Sequence, residues 1–242
     1  KLGQFFSTER FISTCAAATR TQLDAAIEAG ERPRLVFTAH SIPISADNAA
    51  GPDEAAREAD GEVAAVLDFA GVAAGDHVAD IGAGSGFYVQ PLAERVGPQG
   101  RVYAEDIIAE TLDRLRVLVR RKRLGNVQVV AGTADDPGLP AASLDHALLI
   151  HMYHEVENPY ALLWHLRGSL KPDGRITVDT RRETYNHGTP PALLDCELAA
   201  LGLVLERQTA LKDGVSYARV YRASGPRPAP AAIRPCAMSA TG

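Results

Sequence analysis

Cysteine is scarce in this chain: Cys15, Cys196 and Cys236 are the only three in 242 residues, and they lie too far apart for a metal-binding cluster. That scarcity gives no disulfide framework to expect and points to reduced thiols. Long apolar runs are missing too. None approaches the roughly 20 residues of a membrane-spanning helix, so no membrane partner is expected. Excess positive charge is absent as well: 25 Lys and Arg against 30 Asp and Glu leave a net charge of −5 and a pI near 5.8. This excludes a global basic footprint for nucleic acid. One local basic run, Arg114, Arg116, Arg120, Arg121, Lys122 and Arg123, falls on a predicted helix and reads as a solvated face. The chain opens at Lys1 with no initiator Met, as a processed chain or a fragment would. A cytoplasmic location is expected, with any upstream targeting segment out of view.

Glycine, by contrast, is concentrated where it matters. Val78-Ala79-Asp80-Ile81 runs into Gly82, Gly84 and Gly86, three glycines at alternate positions. The run ending at Ala79 reads as a short buried strand, and Phe87-Tyr88-Val89 opens an amphipathic helical pattern through Val96. A strand that turns straight into a helix gathers free backbone N–H groups and the helix's positive end at one point. Dinucleotide-binding turns follow G-x-G-x-x-G. Here the pattern is Asp-x-Gly-x-Gly-x-Gly, and an acid two residues before the first glycine repels a pyrophosphate but suits a ligand carrying an ammonium group. That spacing argues against an NAD-dependent dehydrogenase.

The rest of the chain alternates strands with helices, which implies a parallel sheet covered on both faces. A helix is predicted over 53–70 and strands over 101–104, 127–130, 144–150 and 175–179. Helices fall at 109–123, 159–170 and 191–201, with Lys171-Pro172-Asp173-Gly174 as a turn and a terminal hairpin over 203–210 and 216–222. The almost unbroken apolar run 144–150 suits a strand buried on both faces. From residue 224 the chain is rich in Pro and Ala, has no periodicity, and is expected to be a disordered tail to 242.

Residues 80–86 resemble motif I of the class I S-adenosylmethionine-dependent methyltransferases, and the resemblance covers about residues 55–223. It implies a Rossmann-like, doubly wound, mostly parallel seven-stranded α/β sheet with a C-terminal antiparallel hairpin. It further implies S-adenosyl-L-methionine as cofactor, held by Asp80, Gly82, Ala83, Gly84 and Gly86. Val102-Tyr103-Ala104-Glu105-Asp106-Ile107 resembles the family's second motif, in which the acid closing strand two clamps the ribose hydroxyls. Asp106 is favoured for that role over Glu105, since strand alternation turns only one of the two toward the loop, and Ile107 borders it. By the same resemblance the Asp135 side chain and the Ala134 backbone face the adenine.

His151-Met152-Tyr153-His154-Glu155 follows strand four, where this fold borders the methyl acceptor. His151 and Met152 are placed against the cofactor, and Tyr153, His154 and Glu155 are candidates to orient or deprotonate an acceptor. The H-x-x-H-E spacing matches no zinc helix, so no metal is expected. His187 lies on the same sheet edge and is a candidate for the acceptor pocket. The acceptor implied is a small molecule, with oligomeric state open.

Residues 1–54 have a different character. A helical stretch leads to Arg34-Leu35-Val36-Phe37-Thr38-Ala39-His40-Ser41-Ile42-Pro43, which resembles the strand of ferrochelatases that ends in T-A-H-S-I-P. His40 matches the family's metal-inserting histidine. The match spans one helix and one strand, too little to wall a porphyrin site, so a relict or joined fragment is expected. Two other readings compete with an active methyltransferase: a cofactor-binding module without turnover, and a tetrapyrrole-related fusion.

Overall fold

A computed structural model describes residues 61–181, 188–211 and 216–236. The ferrochelatase-like stretch, His40, His187 and the Lys212-Asp213-Gly214 turn lie outside the described residues. The first helix among the described residues, α1, is Glu62–Ala70, closed by Gly71 in the left-handed region at φ 80°. Strand β1, His77–Ile81, leads through the glycine turn into helix α2, Val89–Val96. Val89, Leu92, Ala93 and Val96 are the buried residues of α2 and repeat at the 3–4 spacing of one helical face.

β2, Arg101–Asp106, is followed by helix α3, Ala109–Lys122. The basic run ends this helix: Arg120, Arg121 and Lys122 fill its last turn, where cations complement the negative end of the helix dipole. β3 is Val127–Ala131 and β4 is Leu144–Ile150. Helix α4, Pro159–Ser169, starts at Asn158, whose side chain accepts from the Ala161 amide. β5 is Leu170–Arg181, helix α5 is Pro191–Ala199, and β6, Leu203–Ala210, pairs with β7, Ser216–Ala223.

The sheet order is β3-β2-β1-β4-β5-β7-β6. β1 pairs in parallel with both β2 and β4, and β7 enters antiparallel between β5 and β6. Strand order therefore reverses at β1 and β4, the point where open α/β sheets build ligand sites beyond the strand ends. Alternation splits the core between the two faces. Val78, Val102, Leu148 and Ile150 pack with α1 and α2, whereas Ala79, Ile81, Ala147 and Leu149 pack with α4 and α5.

Three expectations need correction. Lys171–Gly174 is not a turn ahead of β5 but an excursion within it: Leu144 pairs with Leu170 and His146 with Arg175, so the extra residues bulge out of the β4–β5 ladder. Cys196 and Cys236 are joined in a disulfide rather than held as free thiols. Nor is the described part of the tail, residues 224–236, a disordered segment. The Trp164 indole N–H donates to the Pro228 carbonyl at 2.9 Å, Arg167 donates to the Gly225 carbonyl at 2.7 Å, and the Arg227 guanidinium stacks 3.6 Å from the Trp164 ring centroid. Ile233 packs against the core and the Cys236 amide donates to the Tyr160 hydroxyl. These contacts are made one at a time along an otherwise exposed segment, so they leave no periodic signature.

Candidate functional site

The glycine turn sits on the carboxyl ends of β1 and β2 and is tied down by β2. Gly82 N–H donates to the Glu105 carboxylate at 3.3 Å, Ala83 N–H to the Glu105 carbonyl at 2.8 Å, and Gly84 N–H to the Asp106 carboxylate at 3.0 Å. The turn's amides are thus already engaged, contrary to the picture of free donors. The three glycines also differ in what they do. All have positive φ, but a Cβ on Gly86 would strike Leu118 at 2.5 Å, and one on Gly82 would press on Met152 at 3.3 Å. A Cβ on Gly84 would meet only the Gly82 carbonyl at 3.8 Å, so Gly84 is the glycine that faces open space.

Beneath the turn lie three carboxylates. Asp80 is 4 % exposed, and its Oδ2 has no hydrogen-bond partner among the described residues. Burial, reinforced by the charge of Asp106, pushes its pKa up to about 7. Glu105 is pushed up to about 8, chiefly by burial and against the Gly82 hydrogen bond that favours its ionised form. Asp106 accepts from Gly84 N–H and, with its other oxygen, from Ile108 N–H at 2.9 Å. A carboxylate offers about four lone-pair sites, so both oxygens retain acceptor capacity. The expectation that only one of Glu105 and Asp106 reaches the loop does not hold: the loop folds over the strand end, and each acid meets a different glycine.

Around these acids the edge is open. Ile107 is 56 % exposed, an apolar side chain with its surface uncovered. Gly132 N–H donates to the Asp106 carbonyl, which brings the turn after β3 to the same edge. In that turn Thr133 and Asp136 hydrogen-bond each other, leaving Ala134 and Asp135 exposed.

The run after β4 divides. Tyr153 points into the core: it is wholly buried, its hydroxyl donates to Glu197 at 2.8 Å, and burial raises its pKa well above the usual phenol value. A short 3-10 turn, Tyr153–Glu155, produces that inward rotation, so Tyr153 is not an acceptor-facing residue. His154 and Glu155 pair with each other at 3.1 Å, the His154 side chain mostly buried and Glu155 exposed. Met152 packs over Gly82.

His151 takes a positive φ of 55° and lies between two acids that the linear pattern does not connect to it. Its Nε2 is 3.1 Å from Glu62 Oε1 and 3.6 Å from Asp179 Oδ2. Glu62 opens α1 and also accepts from the Tyr88 hydroxyl at 2.8 Å, while Asp179 lies in β5 and is fully buried. Sequence reading missed Glu62, Tyr88 and Asp179 as site residues. Glu62 stands 89 residues from His151, and no spacing rule links them.

Residues 79–178 match the family model described as "Methyltransferase domain". The fold is that of a methyltransferase domain. A structure of a SAM-dependent methyltransferase from Aquifex aeolicus is similar with a TM-score of 0.61 and 25 % identity, covering 66 % of this chain and 89 % of that one. Nocamycin O-methyltransferase from Saccharothrix syringae is 30 % identical over 178 residues, 69 % of this chain and 59 % of that protein. The chain spans about half to three-fifths of the length of the curated methyltransferases it matches. A separate 55-residue match, 49 % identical, is to coproporphyrin III ferrochelatase from Corynebacterium glutamicum and covers only 22 % of this chain and 15 % of that protein. No helix among the described residues is long and apolar enough to cross a membrane.

Proposed function

We propose that this methyltransferase domain transfers a methyl group from S-adenosyl-L-methionine to a small-molecule acceptor. The observation that carries the reading is the Asp80 carboxylate: it is buried, one oxygen has no hydrogen-bond partner among the described residues, and it sits below a turn whose middle glycine opens onto space. Such a group is costly unless a ligand satisfies it, and an ammonium group does so with both charge and donors. The residues fit the rest of the cofactor as well. Asp106 has acceptor capacity for two ribose hydroxyls, Ile107 offers an uncovered apolar surface to the adenine ring, and Ala134 and Asp135 flank it. When bound, the cofactor supplies a methyl group on a sulfonium, already activated toward nucleophiles.

The chain's own task is then placement. Holding donor and acceptor at near-attack distance contributes on the order of 7–11 kcal/mol to lowering a bimolecular barrier. His151, Met152, His154 and Glu155 form the border on which an acceptor would rest, and the His154–Glu155 pair, with Glu155 exposed, is suited to accept an acceptor's proton. The name of the Saccharothrix relative, an O-methyltransferase, supports an oxygen acceptor of small size.

Calorimetry of the full chain with S-adenosylmethionine, S-adenosylhomocysteine and NADH tests the binding. The two adenosyl ligands should bind and NADH should not. Gly84→Val, which places a branched side chain at φ 55° in the open space, should abolish binding. S-adenosylhomocysteine release on adding small-molecule or protein pools then tests transfer. Release from the protein pool alone would overturn the small-molecule acceptor, and binding without release above the Gly84→Val background would favour a module without turnover.

A further inference from the structure

We propose that Glu62, His151 and Asp179 hold a divalent metal cation at the carboxyl edge of the sheet, and that this cation receives an oxygen of the methyl acceptor. The second half rests on the methyl-transfer reading; the first does not. One ligand-type atom from each of the three residues lies within 4.8 Å of the others. His151 Nε2 stands 3.1 Å from Glu62 Oε1 and 3.6 Å from Asp179 Oδ2. Metal–ligand bonds of 2.0–2.2 Å set neighbouring ligand atoms roughly 3.0 Å apart around an octahedral ion and roughly 3.4 Å around a tetrahedral one. The two spacings to His151 lie close to those values, and the third pair, Glu62 and Asp179, lies within 4.8 Å.

The donor set has its own chemistry. One imidazole and two carboxylates form a nitrogen–oxygen site of the kind that suits Mn2+ or Zn2+. Three protein ligands leave at least one position open, which is the arrangement of a reactive rather than a purely structural metal. Outer contacts already fix the ligands. The Tyr88 hydroxyl donates to Glu62, and the His151 backbone N–H donates to the Asp179 carbonyl at 3.0 Å, holding that residue beside its partner. A hydroxyl of the acceptor bound at the open position would have its pKa lowered by the cation, its proton passing to water, and a bound carboxylate would have its charge balanced there; either oxygen would then face the methyl group as an anion, the new O–C bond forming as the S–C bond breaks and S-adenosylhomocysteine leaves. The absence of any metal spacing near His151 in the sequence is no obstacle, because the three ligands come from α1, the end of β4 and β5.

A proton on His151 would satisfy the same two acids, and a metal and a proton compete for the same Nε2. The full chain, freed of metal by chelation, should be titrated with Mn2+ alone, following free Mn2+ by electron paramagnetic resonance. One Mn2+ per chain is expected. Glu62→Gln and Asp179→Asn should each weaken binding by at least about tenfold, and Tyr88→Phe, which removes only an outer hydrogen bond, by less or about the same. No saturation below about 1 mM, or saturation unaltered in both acid variants, overturns the site. S-adenosylhomocysteine binding is measured on the same samples. Its loss with Mn2+ binding intact would overturn the methyl-transfer reading and leave the metal site standing. Chelation should suppress acceptor-dependent S-adenosylhomocysteine release and Mn2+ should restore it. Release that ignores chelation, in a chain that binds Mn2+, overturns the acceptor role of the cation.

Discussion

Two groups of acids meet at the carboxyl edge of the same sheet, and they are built in opposite ways. Asp80, Glu105 and Asp106 sit under the glycine turn: Asp80 precedes its first glycine in β1, and Glu105 and Asp106, at the end of the neighbouring β2, accept from its amides. Glu62 and Asp179 come from distant elements and converge on a side chain, His151. In the first group one oxygen of Asp80 has no hydrogen-bond partner among the described residues, and burial raises the pKa of Asp80 to about 7 and of Glu105 to about 8. The second is organised around an imidazole. The lesson is that a ligand site built on one turn and the strand paired beside it relies on backbone geometry, whereas a site assembled from more distant elements relies on side chains that only the topology brings together.

The comparison can be broken by separating the two groups with single substitutions. Among substitutions of the acids, the largest effect on affinity is expected from Asp106→Ala, which should weaken S-adenosylhomocysteine binding by about 1.5–3 kcal/mol, the range for hydrogen bonds to a charged group. Calorimetry reads that loss, and Mn2+ binding to the same variant should be unchanged. A matching loss of Mn2+ binding would mean that the two groups act as one.

Next comes pH. Asp80 and Glu105, at about 7 and about 8, hold their protons more tightly in the folded chain than in the unfolded one. The stability this contributes is complete below about pH 4 and is lost as pH rises toward 8, at up to about 1.4 kcal/mol per pH unit for each group. Denaturant unfolding of the cofactor-free chain at pH 5 and pH 7.5 should show the fall, and Asp80→Asn should make it shallower. A stability that rises over that interval would show that the acids are not buried as described. The smallest effect belongs to Glu105→Gln. At neutral pH it replaces a largely protonated carboxyl by a neutral amide of the same shape, so cofactor affinity should change by less than about 0.5 kcal/mol. An effect as large as that of Asp106→Ala would exchange the roles of the two residues.

Much of the fold is legible in the residues because its signals are local. The apolar run 144–150 and the segment 203–210 match β4 and β6 to the residue, and Pro159 behind Asn158 marks the start of α4. The strand–turn–helix around the three glycines is equally legible, because its glycines and the strand before them are consecutive in the chain. What escaped depends on long-range geometry. The Cys196–Cys236 disulfide joins residues 40 apart through packing of the tail, which composition cannot report. The inward turn of Tyr153 follows from a three-residue 3-10 turn, too short to show a period. The His151 partners, on α1 and β5, share no pattern with it at all.

The disulfide has a consequence for how the edge of the sheet can come apart. Residues 196–236 form a covalent ring that contains both β6 and β7, and β6 is the last strand of the sheet. An edge hairpin on an open chain can swing out and pair with another copy. Here both connections of the hairpin are moored to the α4–α5 side, one through α5 itself and the other through the bond to Cys236. To swap, the hairpin would have to carry both moorings across the gap, so exchange between copies should require reductant. The staple acts on partnership between molecules as much as on the single chain.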